Sequence, residues 1–434
     1  MRPKGTVRTR DAAERENRKT DPMPRILISH PTGNQNVRSA VAALAEQQML
    51  AEFWTTVAWN AGPGWNRLLP RGLRALLARR AYPEAPPELL RCVPGREMVR
   101  LAAAATPFHR LLASGERPFS IVGIYRHFDG KVARRLASLR PDAVYCYEGG
   151  ALETFREARR LGIRTIYEQA SCYWYWVRDL LEQEARRNPA LAGLLPNLAD
   201  SPEHLAWKDE ELSLADCVIV ASQQVRRTLA GAVPGEKIRV VHYGAPAVRS
   251  RERVAADPRQ PLRVLFVGQL VQHKGIGYLL EAVDRLGSAV ELTLVGRRFQ
   301  PNARVDQACR RWRWFESLPH GRVLEVMMES DVLVLPSLGE GFGLVVTEAL
   351  ACGLPAIVTP HVGASDLIED GRQGFVVPVC SADAIAERLV ALDRDRTLLA
   401  AMSRQAQEAA AEHSWAGYRA HFRETLRDIV RCHT

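Results

Sequence analysis

From Pro24 onward the chain alternates short apolar runs with longer stretches in which apolar residues recur every three or four positions. Arg25 to Ser29 has the pattern of a short strand, and a helical period takes over from about Val37, with Gly33, Asn34 and Asn36 in the turn between. "PDAVYCYEGGALETFREARRLG" is a second strand–helix unit, "RTIYEQAS" is a further strand, and "DCVIVASQQVRRTL" and "KIRVVHYGAP" keep the rhythm. Residues 245–261, "APAVRSRERVAADPRQP", are polar and proline-punctuated and read as a linker. The rhythm restarts with "LRVLFVGQL", "VELTLVG", "DVLVLPS", "PAIVT" and "GFVVP", each but the last followed by helical sequence.

Strands separated by single helices predict parallel sheets with crossover helices. The expected fold is α/β, with two doubly wound Rossmann-like domains facing across a cleft. The expected organisation is a basic tail at 1–22, a first domain at 23–245, a linker at 246–261, a second domain at 262–411 and a terminal helix at 412–434. Length supports two domains, since 434 residues exceed one ordinary core.

Composition narrows the class. Hydrophobic residues make up 47% and charged residues 25%, which argues for a globular chain. No apolar run approaches the ~18 residues that span a bilayer. The segment "MRPKGTVRTRDAAERENRKTDPMPR" lacks the apolar stretch of a signal peptide, and Met23 is a second candidate start. Eight cysteines are scattered without a CxxC pair, so a structural zinc is not expected, and a reducing, cytoplasmic setting is. The net charge of +10 points to an anionic partner. Aromatic–basic clusters of nucleic-acid modules are missing, which leaves acidic lipid or a phosphorylated small molecule. Residues 65–110 carry nine arginines against three glutamates. They read either as a basic amphipathic helix on an anionic membrane or as a solvated helix.

Two stretches carry candidate chemistry. In "LGEGFGLVVTEAL", Glu340, Gly341, Phe342 and Gly343 follow a buried strand, where ligands of parallel sheets bind and helix ends offer unpaired N–H groups. Glu340 and Glu348 stand eight positions apart. A continuous helix would separate them by about 12 Å, beyond the roughly 5–9.5 Å of paired glycosidase carboxylates. One extended ligand held at two points, such as a nucleotide-sugar, suits them better. The bland alternative is a helix-capping Glu340 and a surface Glu348. In "VLFVGQLVQHKGIGYLLEAV", Lys274 follows a strand ending at Gly268 and is placed to neutralise a diphosphate; an ordinary loop lysine is the alternative.

These motifs, with "DVLVLPS", "EALACGLPAIVT", "QGFVVP" and "LADCVIVAS…KIRVVHYG", resemble the family 4 retaining glycosyltransferases of the two-Rossmann-domain, GT-B type over about residues 205–415. The resemblance implies a hexosyltransferase that takes sugar from a nucleotide-sugar bound by the second domain. It places Glu340 on the donor sugar, Glu348 on the ribose and Lys274 on the diphosphate. Gly268, Gln269, Arg297, Leu344 and the amides of Gly341, Phe342 and Gly343 complete the donor side, and Gly33 approaches the diphosphate from the first domain. It also implies retention of configuration, with no metal and no cofactor beyond the donor. Gln269 stands where the family usually has arginine, and Arg297 is the candidate substitute. His30, Asn36, His127, Glu148 and Glu168 are acceptor-side candidates, with structural histidines the alternative for His30 and His127. The acceptor is expected to be a sugar, glycan or lipid-linked glycan of polysaccharide or glycoconjugate biosynthesis, met in the cytoplasm, with peripheral membrane contact through residues 65–110. A non-catalytic nucleotide-sugar-binding protein and a sugar-nucleotide epimerase are the rival readings. A nicotinamide dehydrogenase is disfavoured, because "SHPTGNQNVRSA" lacks GxGxxG.

Overall fold

The computed structural model describes residues 23–60, 80–103, 117–195, 201–248 and 259–431. The expected basic tail, most of the linker, and residues 65–79 and 104–110 of the arginine-rich segment lie outside the described residues.

Thirteen strands are described: β1 (Ile26–Ser29), β2 (Leu50–Thr55), β3 (Leu90–Cys92), β4 (Ala143–Tyr147), β5 (Arg164–Gln169), β6 (Cys217–Val220), β7 (Ile238–Val240), β8 (Leu262–Val267), β9 (Val290–Val295), β10 (Arg313–Phe315), β11 (Val332–Leu335), β12 (Ala356–Val358) and β13 (Gly374–Val376). They form a seven-stranded sheet of order β3-β2-β1-β4-β5-β6-β7 and a six-stranded sheet of order β10-β9-β8-β11-β12-β13. This is a two-Rossmann α/β fold, built as the apolar rhythm predicts. Strand β2 escapes that rhythm because it contains Glu52, which is 2% exposed and is held by Arg135 at 2.7 Å. The alternation of strand and helix also fails after β12. Between β12 and β13 the connection includes only a 3-10 turn, Gly363–Leu367, and it is β13 that a long helix, Ala382–Arg394, follows.

Contacts divide the chain into two compact units. The first comprises Met1–Tyr145, Glu157–Arg164 and Leu426–Thr434, and the second comprises Cys146–Arg156 and Thr165–Thr425. The second unit therefore joins Thr165–Tyr243 to the six-stranded sheet, across the sequence boundary drawn near 245. Hydrogen bonds link the two parts. Ser222 Oγ donates to the Gly341 carbonyl at 2.7 Å, and Asp366 accepts the Gln223 N–H at 2.7 Å.

In the first unit, Asn34 caps the helix Gln35–Ala45 by accepting the Val37 N–H. Phe53 meets Tyr82 edge-on at 4.9 Å. The helix Trp415–Arg431 belongs to the second unit as far as Thr425, and there its start lies beside the chain leaving β7. Ala245 N–H donates to the His413 carbonyl at 2.7 Å, and Trp415 and Tyr418 pack on Tyr243.

Candidate functional site

The six-stranded sheet reverses its winding between β8 and β11, which lie side by side with Val332 opposite Val264. Loops leaving the carboxyl ends of two such strands diverge and open a crevice. The β8 loop carries Lys274 and the β11 loop carries Glu340. Gly275 lets them approach: its φ is +74°, and a Cβ there would lie 2.0 Å from the Pro336 carbonyl oxygen. A hydrogen bond of 2.8 Å from the Leu338 N–H to the His273 carbonyl then ties the two loops together.

Their side chains meet. The Lys274 ammonium is ion-paired with the Glu340 carboxylate, both about one-fifth exposed. Burial pulls the Lys274 ammonium down to about 8, with the Cys172 thiol opposing. Burial, together with Lys274 beside it, pulls His273 down to about 4, so that imidazole is neutral. Glu340 is fixed through its backbone, whose N–H donates to the His361 carbonyl at 2.9 Å and whose carbonyl accepts the Gly363 N–H at 3.1 Å. Gly341 runs so close to residues 170–171 that a Cβ would lie 2.1 Å from the Ala170 carbonyl oxygen. Phe342 is buried against Tyr243 at 5.2 Å.

Gly343, at φ +88°, opens the helix Leu344–Ala351 without a side-chain cap. Its first amides point along the axis toward the crevice, with the partial positive charge of a helix start. Because the helix starts only at Leu344, the separation of about 12 Å that an unbroken helix predicts between Glu340 and Glu348 does not apply. Glu348 lies on the second turn and contacts His320 Nε2 at 2.9 Å. Burial raises its carboxyl above the ordinary range, with His320 opposing.

The remaining candidates spread out. Gly268 donates its N–H to the Val295 carbonyl. Gln269 and Arg297 are both exposed, and the Leu270 N–H donates to the Arg297 carbonyl at 2.9 Å, which sets Arg297 beside the Gln269 turn. Glu148 accepts from Ser171 Oγ at 2.6 Å. Burial and then Glu148 push the Cys172 thiol up to about 12, while Lys274 opposes. Glu168 is buried and accepts from the Tyr243 hydroxyl at 2.6 Å.

His30, Gly33, Asn36 and His127 belong to the first unit. His30 is buried, which pulls it down to about 3, while its Nδ1 accepts the Thr32 N–H. Asn36 is buried. Gly33 abuts Tyr82, whose hydroxyl would lie 2.1 Å from a Cβ. His127 is lowered by burial and by Arg96, Lys131 and Arg134.

Sequence reasoning missed Ser222 and His320 as neighbours of the crevice. Ser222 and His320 act on residues 119 and 28 positions away, so no local pattern announces them. Among the described residues no group of His, Cys, Asp and Glu is placed to hold a metal ion.

Residues 249–409 match the family described as "Glycosyl transferases group 1". The chain is 30% identical to the putative colanic acid biosynthesis glycosyltransferase WcaL of Salmonella typhimurium over 41% of its own length and 48% of the relative's. It thus spans about half the length of that curated relative. It is 27% identical to the D-inositol 3-phosphate glycosyltransferase of Corynebacterium glutamicum over 67% of this chain and 78% of that one. Among solved structures, Anabaena HepE in complex with UDP aligns with a TM-score of 0.61 at 16% identity, covering 93% of this chain and 100% of HepE. At that identity the likeness carries the fold, which is of GT-B type.

Proposed function

We propose that the protein is a retaining hexosyltransferase that moves a sugar from a nucleotide-diphosphate sugar to a sugar, glycan or lipid-linked acceptor in polysaccharide or glycoconjugate assembly. The observation that carries this reading is the Lys274–Glu340 pair at the switch between β8 and β11, beside an uncapped helix start. The names of WcaL and of the inositol 3-phosphate enzyme, and the UDP bound by HepE, support the same class.

The chemistry follows from charge. In the free protein Lys274 and Glu340 neutralise one another. An arriving diphosphate competes for the ammonium, and Glu340 is released to accept hydrogen bonds from sugar hydroxyls. As the glycosidic bond breaks, negative charge grows on the leaving phosphate oxygen, where Lys274 and the helix amides stabilise it without reorganising. The acceptor hydroxyl attacks the face that the diphosphate vacates, and a diphosphate oxygen takes its proton. Lys274 and the helix start supply the charge stabilisation, and no metal is needed. Glu348 accepts from the ribose hydroxyls once His320 swings aside, and Arg297 supplies the cation that Gln269 lacks.

The test is release of nucleoside diphosphate from a panel of nucleotide-sugars, with and without glycan acceptors. Lys274→Ala and Glu340→Ala are each expected to lower kcat by about 100-fold or more, the usual loss for one preorganised transition-state contact. Turnover in Lys274→Ala equal to that of the unaltered protein overturns the reading. Binding of a nucleotide-sugar with no turnover in any combination favours a non-catalytic binder instead.

Membrane attachment belongs to the same proposal. No helix among the described residues is long and apolar enough to cross a bilayer, and nine arginines within residues 65–110 suit an anionic surface. The protein is expected to sediment with anionic vesicles at low salt and to leave them as salt rises. Indifference to those vesicles refutes this part.

A further inference from the structure

The turn that carries Lys274 is three residues long and closes on a left-handed glycine, so its own sequence does little to fix the ammonium. Its anchor is Gln272, which is wholly buried. Gln272 Oε1 accepts the Gly277 N–H at 3.0 Å, and its Nε2 donates to Glu184 Oε1 at 2.7 Å.

Glu184 lies 88 positions earlier, near the end of the helix Trp174–Arg187, and is 2% exposed. The Tyr278 hydroxyl contacts its two oxygens at 3.0 and 2.9 Å. Asn188 Nδ2 donates to it at 2.7 Å, and the Arg187 guanidinium stands 3.9 Å away. The other end of the same helix presses on the second loop. A Cβ on Gly339, the residue before Glu340, would lie 2.9 Å from Trp176 and 3.1 Å from Leu180. One helix therefore braces both halves of the ion pair, through packing at Gly339 and through a buried carboxylate at Gln272.

A buried carboxylate is an expensive way to hold a helix, since apolar packing of equal volume does as well or better. Its value lies in direction: a carboxylate surrounded by donors fixes each of them within a few tenths of an ångström. We propose that Glu184 is a positioning residue for Lys274, acting through Gln272 to hold the turn Gln272–Lys274 in register with Glu340. The consequence for diphosphate stabilisation rests on the nucleotide-sugar reading above; the register itself does not.

Glu184→Gln keeps the volume but removes the charge and replaces one acceptor oxygen by an N–H group, which then faces either the Gln272 and Asn188 amides or the Arg187 guanidinium, none of which can accept from it. In steady-state transfer it is expected to lower kcat by about 10- to 100-fold, the range for groups that orient a ligating residue, with the acceptor KM unchanged. The decisive comparison is the same change in a Lys274→Ala background, where Glu184→Gln is expected to cost nothing further. An equal loss in both backgrounds means a merely structural role and overturns the proposal.

A second measurement needs no turnover. Lysines bearing isotope-labelled methyl groups are titrated by NMR, with the Lys274 signal identified by its loss in Lys274→Ala. In Glu184→Gln the Lys274 titration is expected to move up from about 8 toward the ordinary lysine range as the turn opens to water. An unmoved titration overturns the proposal. If the unaltered protein transfers no sugar, this arm still decides the positioning, and only the transferase reading fails. If Glu184→Gln does not fold, Tyr278→Phe takes its place, since it keeps the ring and removes one donor. It is expected to give the same changes in smaller measure, and no change in either readout overturns the proposal.

Discussion

Lys274 is only about one-fifth exposed, and its chemistry is set by that burial more than by its residue type. Burial brings its proton loss to about 8, so the ammonium that the proposed reaction needs is present below that pH and disappears above it. Activity, measured as kcat/KM, is therefore expected to fall as pH rises through about 8. A bound diphosphate favours the charged form, so the falling limb of kcat is expected at higher pH than that of kcat/KM. Lys274→Arg should lose the limb entirely, since a guanidinium does not titrate there. A limb that persists in Lys274→Arg would assign it to another group. Glu348 is a second case in which a partner matters. His320 occupies it in the free protein, so a ribose must displace an imidazole. Glu348→Ala is expected to raise the donor KM by roughly tenfold to a hundredfold, the worth of a hydrogen bond to a charged acceptor, with a smaller effect on kcat.

At the scale of the element, the glycines and one buried acid explain why loops stand where they do. Gly275 adopts φ +74° against the Pro336 carbonyl, so an alanine there pushes the β8 loop from β11. Gly275→Ala is expected to cost about 1–3 kcal/mol of stability from the backbone conformation alone, read as a lowered denaturant midpoint. Glu211 does comparable work at the start of the helix Leu152–Leu161. It is wholly buried and accepts the N–H groups of Gly149, Ala151 and Leu152 at 2.8, 2.8 and 3.2 Å, with the Tyr167 hydroxyl at 3.0 Å. Its removal leaves several donors unpaired in the interior, at a cost of about 1–3 kcal/mol for each that finds no new partner.

At the scale of the whole molecule, ligand binding and folding share one equilibrium. A nucleoside diphosphate that binds the folded chain alone raises its stability by about 2.7 kcal/mol at a hundred times its Kd. A thermal-shift panel is thus expected to single out one base and sugar. The shift should shrink in Glu340→Ala and in Lys274→Ala, because each removes a contact made only in the folded crevice.

Hydrophobic periodicity alone determined the parallel α/β architecture, because a strand buried on both faces must be continuously apolar and a crossover helix must be amphipathic. The runs at 264–267, 332–335 and 356–358 are strands for that reason. The same local logic put Glu340 and Lys274 just past strand ends, where glycines mark close approaches. What it missed were strands whose pattern a charge interrupts, as at Glu52, and very short ones such as β10. Tertiary structure alone decided which loops meet. The adjacency of β8 and β11 is a property of sheet order, and it pairs two residues 66 positions apart. The partners His320 of Glu348, Ser222 of Gly341 and Glu184 of Gln272 are likewise products of folding. Periodicity records which face of an element is buried, whereas a contact between distant side chains depends on how the elements are packed.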